Sequence, residues 1–232
     1  MKKYFVPLLI LLIIAIGILP LYSCYDSDDI FESGYFRCLE VIDAVNIHGL
    51  TDLGKEQEEI AFPTEINGID VFAIGTLYGS NYMSSNKLKK VFIPGGCIIN
   101  RADLFRGCIN LGETIFLSKT PPKQAPKDNT FGGNKYTASA FVDTYVSWGY
   151  KSILPANVSY MNNYSDEVNG GYYWVDDIAI HQKIKTIPYE PKREGYLFGG
   201  WYTEPECVNK WDFATDIKGT DDLILYAEWI IK

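Results

Sequence analysis

The sequence predicts a mainly β protein with short helices, built as a short repeat solenoid followed by a small second β domain. Two observations predict this arrangement. A short apolar pattern occurs twice between Leu88 and Ser118, and one such unit buries its apolar face only by stacking on similar units. A different pattern, in which glycines separate aromatic residues, follows between Pro191 and Trp229. We therefore expect two folded domains behind an N-terminal targeting segment.

Residues 1–23 are predicted to be a signal peptide. Lys2 and Lys3 precede a nearly unbroken apolar run that ends at Leu21, which is typical of a secretory signal. The junction Leu21-Tyr22-Ser23-Cys24 resembles a bacterial lipobox, and this resemblance implies that a lipid is attached to Cys24. An uncleaved apolar anchor is the main alternative, because the run is about as long as the shortest spanning helices. The third possibility is that the signal peptide is cleaved and the protein is secreted without a lipid. All three predict a location outside the cytoplasm, with the first two holding the chain at the membrane.

Residues 24–34 are predicted to be an acidic tether. The stretch that follows Cys24 is short, polar and rich in acidic residues, with Asp26, Asp28 and Asp29 close together. The whole chain carries 21 basic and 29 acidic side chains, a net charge of −8. Binding to nucleic acid needs clustered basic residues, and no basic run longer than Lys89-Lys90 occurs after the signal. We therefore expect no nucleic acid partner.

Residues 35–154 are predicted to form the repeat domain. Val91-Phe92-Ile93 aligns with Ile115-Phe116-Leu117 at a period of 24 residues, inside the range of roughly 20–29 residues for leucine-rich repeats. A weaker copy, Ile60-Ala61-Phe62, lies 31 residues before the first. We expect Val91 and Ile93, and likewise Ile115 and Leu117, to face inward. The segment from Ala102 to Leu111 resembles the A-F-x-G-C-x-N-L segment of BspA-type leucine-rich repeats, which implies a solenoid of the kind found in bacterial surface proteins.

Two local features complete this domain. Phe141, Tyr145 and Trp148 recur at helical spacing, which predicts a short capping helix. Cys97 and Cys108 fall at repeat positions that usually point inward. We interpret them as buried thiols, and a disulfide between them is the less favoured alternative because spacing alone does not establish bridge geometry.

Residues 155–232 are predicted to form the second domain. Its marks are R-E-G-Y-x-F-x-G-W-Y from Arg193, K-W-D-F from Lys210 and L-Y-A-x-W from Leu225. These look like the internalin B-repeat family, also called the Listeria–Bacteroides repeat. The resemblance implies a compact β-grasp-like module.

The aromatic residues of this domain have two interpretations, core or ligand contact. We expect Trp201, Trp211 and Trp229 to fill the core, because a small domain needs large side chains to bury enough surface. Leu223, Leu225, Ala227 and Trp229 are expected on one face of the last strand. Tyr172, Tyr173 and Trp174 are the candidate ligand contact, since consecutive strand residues point to opposite faces and at least one should be exposed.

An enzyme is not expected. The two histidines, His48 and His181, fall in different predicted domains, and no catalytic, metal-binding or cofactor-binding motif occurs. The predicted function is non-catalytic binding or adhesion at the bacterial cell surface, to a host protein, matrix or glycan, through the repeat solenoid. The alternative is a structural spacer of the cell envelope without a specific ligand.

Overall fold

The computed structural model describes residues 30–75, 83–100, 103–123, 131–165 and 169–232. This part of the chain is mainly β with a few short helices, which confirms the predicted secondary-structure class. In chain order the strands are β1 (Ile30–Ser33), β2 (Phe36–Val41), β3 (Ala44–Leu50), β4 (Glu59–Ala61), β5 (Glu65–Ile66), β6 (Ile69–Ile74), β7 (Lys90–Ile93), β8 (Ile98–Ile99), β9 (Glu113–Phe116), β10 (Asn134–Thr137), β11 (Ile153–Pro155), β12 (Val158–Met161), β13 (Tyr172–Asp176), β14 (Tyr196–Tyr202) and β15 (Leu223–Ile231). The α-helices are α1 (Asp52–Lys55) and α2 (Val142–Ser147), and a 3-10 helix spans Ser139–Phe141.

The first sheet joins strands from the N-terminal part of the described chain in the order β1-β2-β3-β6-β5, with β8 also paired to β6. β1 runs antiparallel to β2, so that Ile30 lies opposite Leu39 and Ser33 opposite Phe36. The tether predicted for residues 24–34 therefore overlaps a paired strand at its C-terminal end. Its earlier residues lie outside the described ranges.

The second sheet is fully parallel and has the order β11-β10-β9-β7-β4. Ile60 lies opposite Val91, which matches the spacing of 31 residues expected between these two copies. Val91, however, lies opposite Thr114, and Ile93 lies opposite Phe116. The period of 24 residues is thus wrong by one residue, and a slip of one residue moves every side chain of a strand to the other face.

The consequence of this register is that Phe116 points into the core of the N-terminal part. Its ring lies 5.0 Å from the rings of Phe131 and Tyr145. Ile115, expected to point inward with Val91, instead shares a face with Phe92.

The predicted capping helix is present as the 3-10 turn and α2. Phe141 and Tyr145 are buried as expected, whereas Trp148 is 47% exposed because the helix ends there. Two strands that the sequence pattern did not reveal, β10 and β11, lie on either side of this helix in the chain and extend the parallel sheet. The sheet therefore continues beyond the recognised repeats.

The third sheet, made from residues after Pro155, has the order β13-β12-β15-β14. β12 and β15 are parallel, and the other pairs are antiparallel. Leu225 and Ala227 of β15 are fully buried, as the alternating pattern predicts, and Trp201 is buried with them. Trp211 and Trp229 are partly buried against the same core, which extends without interruption into the N-terminal part.

Candidate functional site at the junction of the two parts

The outer face of the parallel sheet meets β13 of the third sheet. In a strand, alternate residues share a face, so Lys90 and Phe92 of β7 point away from the N-terminal core that Val91 and Ile93 enter. The Phe92 ring lies 4.9 Å from the indole of Trp174. Both side chains are buried, and this apolar contact brings β13 close to Lys90.

Lys90 is the charged centre of the junction. Its Nζ donates to Oδ1 of Asp176 at 2.9 Å and to the carbonyl oxygen of Asp177 at 2.8 Å. It also lies 2.9 Å from Oε2 of Glu113 on the neighbouring strand β9. The side chain of Lys90 is only 9% exposed and that of Asp176 is fully enclosed. A lysine amine is thus held between two carboxyl groups away from bulk water.

The Asp176 carboxyl group is only partly satisfied by hydrogen bonds. Oδ1 accepts from Lys90 and from the backbone N–H of Asp177 at 2.7 Å. Oδ2 is enclosed and has no hydrogen-bond partner among the described residues. Such an atom is unusual, since buried polar atoms are nearly always paired.

Burial and charge act in opposite directions on these groups. Burial raises the pKa of Asp176 to about 7, and the attraction to Lys90 opposes this rise without cancelling it. Burial alone would lower the pKa of Lys90, but Asp176 and Glu113 overcome that effect and hold the pKa above its ordinary value. Burial also raises the pKa of Asp177.

A second row of contacts holds the segment after β13 against β4. The hydroxyl of Thr186 donates to Oε2 of Glu59 at 2.5 Å, and the hydroxyl of Tyr189 donates to the carbonyl oxygen of Ala61 at 2.9 Å. Lys185 lies 3.5 Å from Glu58 in an exposed ion pair, of a kind that contributes little to stability. The hydrogen bonds fix where this segment crosses the sheet edge.

Two open clefts flank the junction. The first has a volume of about 490 Å³ and combines two partly exposed tyrosine rings, Tyr35 and Tyr189, with a polar floor. Its remaining lining residues are Glu56, Gln57, Glu58, Glu59, Ala61, Lys185, Thr186 and Ile187. The second has a volume of about 400 Å³ and reaches Lys90 and Glu113 at its inner end. Both volumes fall in the usual range for small-ligand clefts.

The candidate contact residues predicted from sequence lie at this junction. Trp174 is 3% exposed and is covered by Phe92, so little of its surface remains for a ligand. Tyr172 is half-buried against Phe141, and the hydroxyl of Tyr173 donates to the carbonyl oxygen of Tyr189 at 2.8 Å. None of the three is fully exposed, because a second part of the chain covers the strand. Ligand contact at Tyr172 and Tyr173 stays a prediction, and Cys24 lies outside the described residues.

The described cysteines are all free thiols, in agreement with the buried-thiol interpretation of Cys97 and Cys108. Burial raises the pKa of Cys97 to about 12 and that of Cys38 to about 11. Across the described ranges, histidine, cysteine and acidic residues form no group of three able to hold a metal ion. No helix in the described part of the chain is both long and apolar enough to span a membrane.

Residues 157–228 match the Listeria-Bacteroides repeat domain. The match includes β12, β13 and β14 and the first six residues of β15. A stretch of 68 residues, 29% of this chain, is 40% identical to a protein of Evansella cellulosilytica named as a Gly-rich membrane protein and covers 8% of it. A further match of 68 residues, 37% identical, is to another protein of that organism named as a membrane protein, of which it covers 10%. A stretch of 55 residues, 24% of this chain, is 48% identical to internalin H of Listeria monocytogenes and covers 10% of that protein. The chain thus matches about a tenth or less of the length of these relatives.

Proposed function

We propose that this chain is a bacterial cell-surface protein that binds an extracellular protein, matrix or glycan without catalysing a reaction. The observation that carries the proposal is the Listeria-Bacteroides repeat domain at residues 157–228, with its similarity to internalin H. Two other relatives are named membrane proteins, which supports a place at the cell envelope.

The proposal includes a finer description of the fold. Residues 35–154 form a short BspA-type leucine-rich-repeat solenoid, and residues 155–232 form a β-grasp-like module. Support for the first comes from the parallel pairing of β4, β7 and β9, whose sequences carry the repeated apolar pattern. Support for the second comes from the compact mixed sheet in which β12 and β15 lie side by side.

The ligand is assigned to the cleft that contains Tyr35 and Tyr189. A repeat solenoid usually offers its sheet face to a partner, but here β13 covers the middle of that face. The first cleft stays open beside it, and its two rings are 37% and 49% exposed. Partly exposed tyrosines suit ligand contact because each offers an apolar ring beside a polar hydroxyl. The Tyr189 hydroxyl already donates to the carbonyl oxygen of Ala61, so its contact with a ligand is assigned to the ring.

The test is binding of the purified full chain to a panel of host proteins, matrix proteins and glycans immobilised on a surface. We expect at least one ligand whose binding falls at least tenfold in Tyr35→Ala and Tyr189→Ala. Trp148→Ala is the matched control, since this aromatic residue is equally exposed but lies outside the cleft, and it should bind normally. Binding to nothing on the panel, or equal binding by all variants, would contradict the assignment.

Attachment to the membrane is proposed to run through Cys24. Intact-mass analysis of the mature protein from its native membrane, beside a Cys24→Ala variant, tests this directly. A chain that begins at residue 24 and carries a diacylglycerol, absent from the variant, is expected. A mass that retains residues 1–23 would point to an uncleaved anchor, and cleavage without lipid would point to secretion.

A structural spacer is the second candidate function, and one observation favours it. The face of the parallel sheet that would suit a large partner is covered by β13, with Phe92 and Trp174 both buried. A spacer needs no open face, and for this role all panel ligands should fail while the chain remains folded.

A further inference from the structure

Lys90, Asp176 and Glu113 form a cluster at the junction, which we call the Lys90 cluster. Its Lys90 amine and Asp176 carboxyl group are more deeply buried than an ordinary surface ion pair requires. The amine of Lys90 and the carboxyl group of Asp176 come from residues 86 positions apart in the chain and meet at 2.9 Å. The Asp176 side chain is fully enclosed, and that of Lys90 is 9% exposed. The second oxygen of Asp176 has no hydrogen-bond partner among the described residues. Glu113 places another carboxylate oxygen 2.9 Å from the same amine. A nucleophile, an electrophile and a proton acceptor are therefore gathered in one site.

We propose that Lys90 and Asp176 react with each other to form an isopeptide bond between Nζ and Cγ, with Glu113 as the group that carries the proton. This inference rests on the geometry of the cluster and does not depend on ligand binding.

The reaction balances without any added reagent. One proton passes from the Lys90 ammonium to Oδ2 of Asp176, which leaves a neutral amine and a neutral acid. The Nζ–Cγ bond forms as the nitrogen attacks, and Glu113 takes a second proton from the nitrogen. The Cγ–Oδ2 bond then breaks, and the departing hydroxyl takes the proton from Glu113 and leaves as water. The ammonium and carboxylate have become an amide and one water molecule.

The surroundings favour a proton on Asp176, whereas the raised pKa of Lys90 opposes the loss of its own proton. Phe92 and Trp174 enclose the pair in apolar side chains, and a poorly solvated ion pair is costly to maintain. Burial raises the pKa of Asp176 to about 7, so its neutral form is accessible near neutral pH. Folding holds the reacting groups together, which replaces an encounter in solution by a step within one molecule. The negative charge of Glu59 also raises the pKa of Asp176, while the backbone N–H of Asp177, which donates to Oδ1, lowers it.

Other lysines provide a comparison. Lys89 pairs with Glu58, and Lys192 with Glu65, at exposed positions where water stabilises both charges. Lys218 is buried, but its Nζ donates to the backbone carbonyl oxygens of Gly219 and Asp221, which are amides and poor electrophiles. Only the Lys90 site, among these, offers an enclosed side-chain carboxyl group to its amine.

The expected consequence is mechanical. An amide between β7 and β13 would join the N-terminal part to the Listeria-Bacteroides repeat domain through a second covalent path. A pulling force applied to the two ends of the chain would then pass through the Lys90–Asp176 amide. The residues between Lys90 and Asp176 would not be stretched. Such a bypass is useful to a protein held at a cell surface.

Mass spectrometry of the unfolded and trypsin-digested full chain tests the proposal. We expect a linked peptide in which trypsin has not cleaved after Lys90. It should weigh one water less than the sum of the Asp176 peptide and a peptide that retains the uncleaved Lys90–Val91 bond. Asp176→Asn should give a linked peptide of the same mass as the wild type, because loss of ammonia from asparagine produces the same amide. Lys90→Met and Asp176→Ala should give none, and Glu113→Gln should form the link at least tenfold more slowly. Lys89→Met is the matched control and should link normally.

Circular dichroism of each variant establishes that it is folded. Recovery of both unlinked peptides from the folded wild-type chain would overturn the proposal and leave an ion pair alone. Equal linking by Glu113→Gln would overturn the role of Glu113. These results are independent of the ligand panel, so failure of either proposal is recognised separately.

Discussion

At the scale of single residues, the junction depends on one lysine in an unusual place. Lys90 belongs to a strand whose other residues are apolar, and its amine reaches Asp176, Glu113 and the backbone of Asp177. Removing one member of a buried charge cluster is more costly than removing an exposed pair, because the remaining charge stays buried.

The first prediction concerns the Lys90→Met variant, which shortens the side chain by one atom and removes the amine. It should lower the free energy of unfolding by about 3–5 kcal/mol or more, since the enclosed Asp176 carboxyl group is left without the nitrogen that it pairs with or is bonded to. Lys89→Met, at the neighbouring exposed ion pair with Glu58, should change the free energy by less than about 1 kcal/mol. Urea unfolding at neutral pH measures both, and equal effects would contradict the buried role of Lys90.

The second prediction concerns the pH dependence of that variant. Burial holds the pKa of Asp176 above its ordinary value of 3.8, so the folded state binds a proton more tightly than the unfolded state does. The contribution of Asp176 to the stability of Lys90→Met should therefore be fully present below about pH 4 and be lost as the pH rises through the folded pKa. Thermal unfolding at several pH values measures this slope, and adding Asp176→Asn should reduce it. A slope that persists in the double variant would assign the effect to another group.

The third prediction concerns the thiols. The thiolate is the reactive form of cysteine, and burial raises the pKa of Cys38 and Cys97 to about 11 and 12. A maleimide should label the partly exposed Cys207 in the native protein and should label Cys38, Cys97 and Cys108 only after unfolding. Peptide mapping, with Cys207→Ser as control, measures this. Native labelling of Cys97, or a Cys97–Cys108 linked peptide, would contradict the buried-thiol assignment.

At the scale of elements, an error of one residue in the predicted pairing of β7 and β9 reversed the prediction of which β9 side chains share a face with Val91 and Ile93. The repeated apolar pattern predicted that β7 and β9 pair, and they do. An offset of 24 aligns three apolar residues with three, whereas the observed offset of 23 places Val91 opposite Thr114 and aligns Leu88 with Leu111. Ile115 and Phe116 are both buried, but Phe116 is the one that shares a face with Ile93 and packs on Phe131.

Gly133, immediately before β10, lies very close to the backbone of Gly112, immediately before β9. Gly133 has a φ of +65°, and a Cβ atom there would lie 1.9 Å from the carbonyl oxygen of Gly112. That oxygen accepts a hydrogen bond from the N–H of Asn134 at 2.8 Å. The contact joins the turns that precede β9 and β10. Glycine is therefore required at position 133 for two reasons, its positive φ and the lack of space for a side chain.

The fourth prediction separates these two reasons. Gly68 also has a positive φ, of +80°, but a Cβ atom there would meet nothing within 4 Å. Gly68→Ala should cost about 1–2 kcal/mol from its left-handed conformation alone. Gly133→Ala should cost about 1–3 kcal/mol more, because the methyl group forces the backbone apart. Urea unfolding measures the free energy of unfolding of both variants. An equal loss in Gly68→Ala and Gly133→Ala would show that the close approach of Gly133 to Gly112 does not affect stability.

At the scale of the whole molecule, the sequence was informative about each part and silent about the contact between them. The repeated apolar pattern predicted strands β4, β7 and β9, and the glycine and aromatic motifs predicted the Listeria-Bacteroides repeat domain, because both signals depend on residues close together in the chain. Trp174 looked like a surface residue since its partner Phe92 is distant in sequence. Nothing in the sequence distinguished Lys90 from its neighbour Lys89, because Asp176 lies 86 residues further along the chain.

Contacts across the junction make the described chain one continuous core. The buried residues extend from the first sheet through the parallel sheet into the third, with the Phe92–Trp174 contact and the Lys90 cluster at the crossing. Parts that share a core are expected to unfold together, whereas domains joined only by a linker unfold separately.

The fifth prediction is that the N-terminal part and the Listeria-Bacteroides repeat domain unfold together. Calorimetry of the full chain tests this most directly. Heating should give a single unfolding transition whose calorimetric enthalpy equals its van't Hoff enthalpy. The transition should move to lower temperature as one peak in Lys90→Met. Two separate transitions in the wild-type chain would contradict the account, since they would show that the repeat part and the Listeria-Bacteroides repeat domain fold without each other.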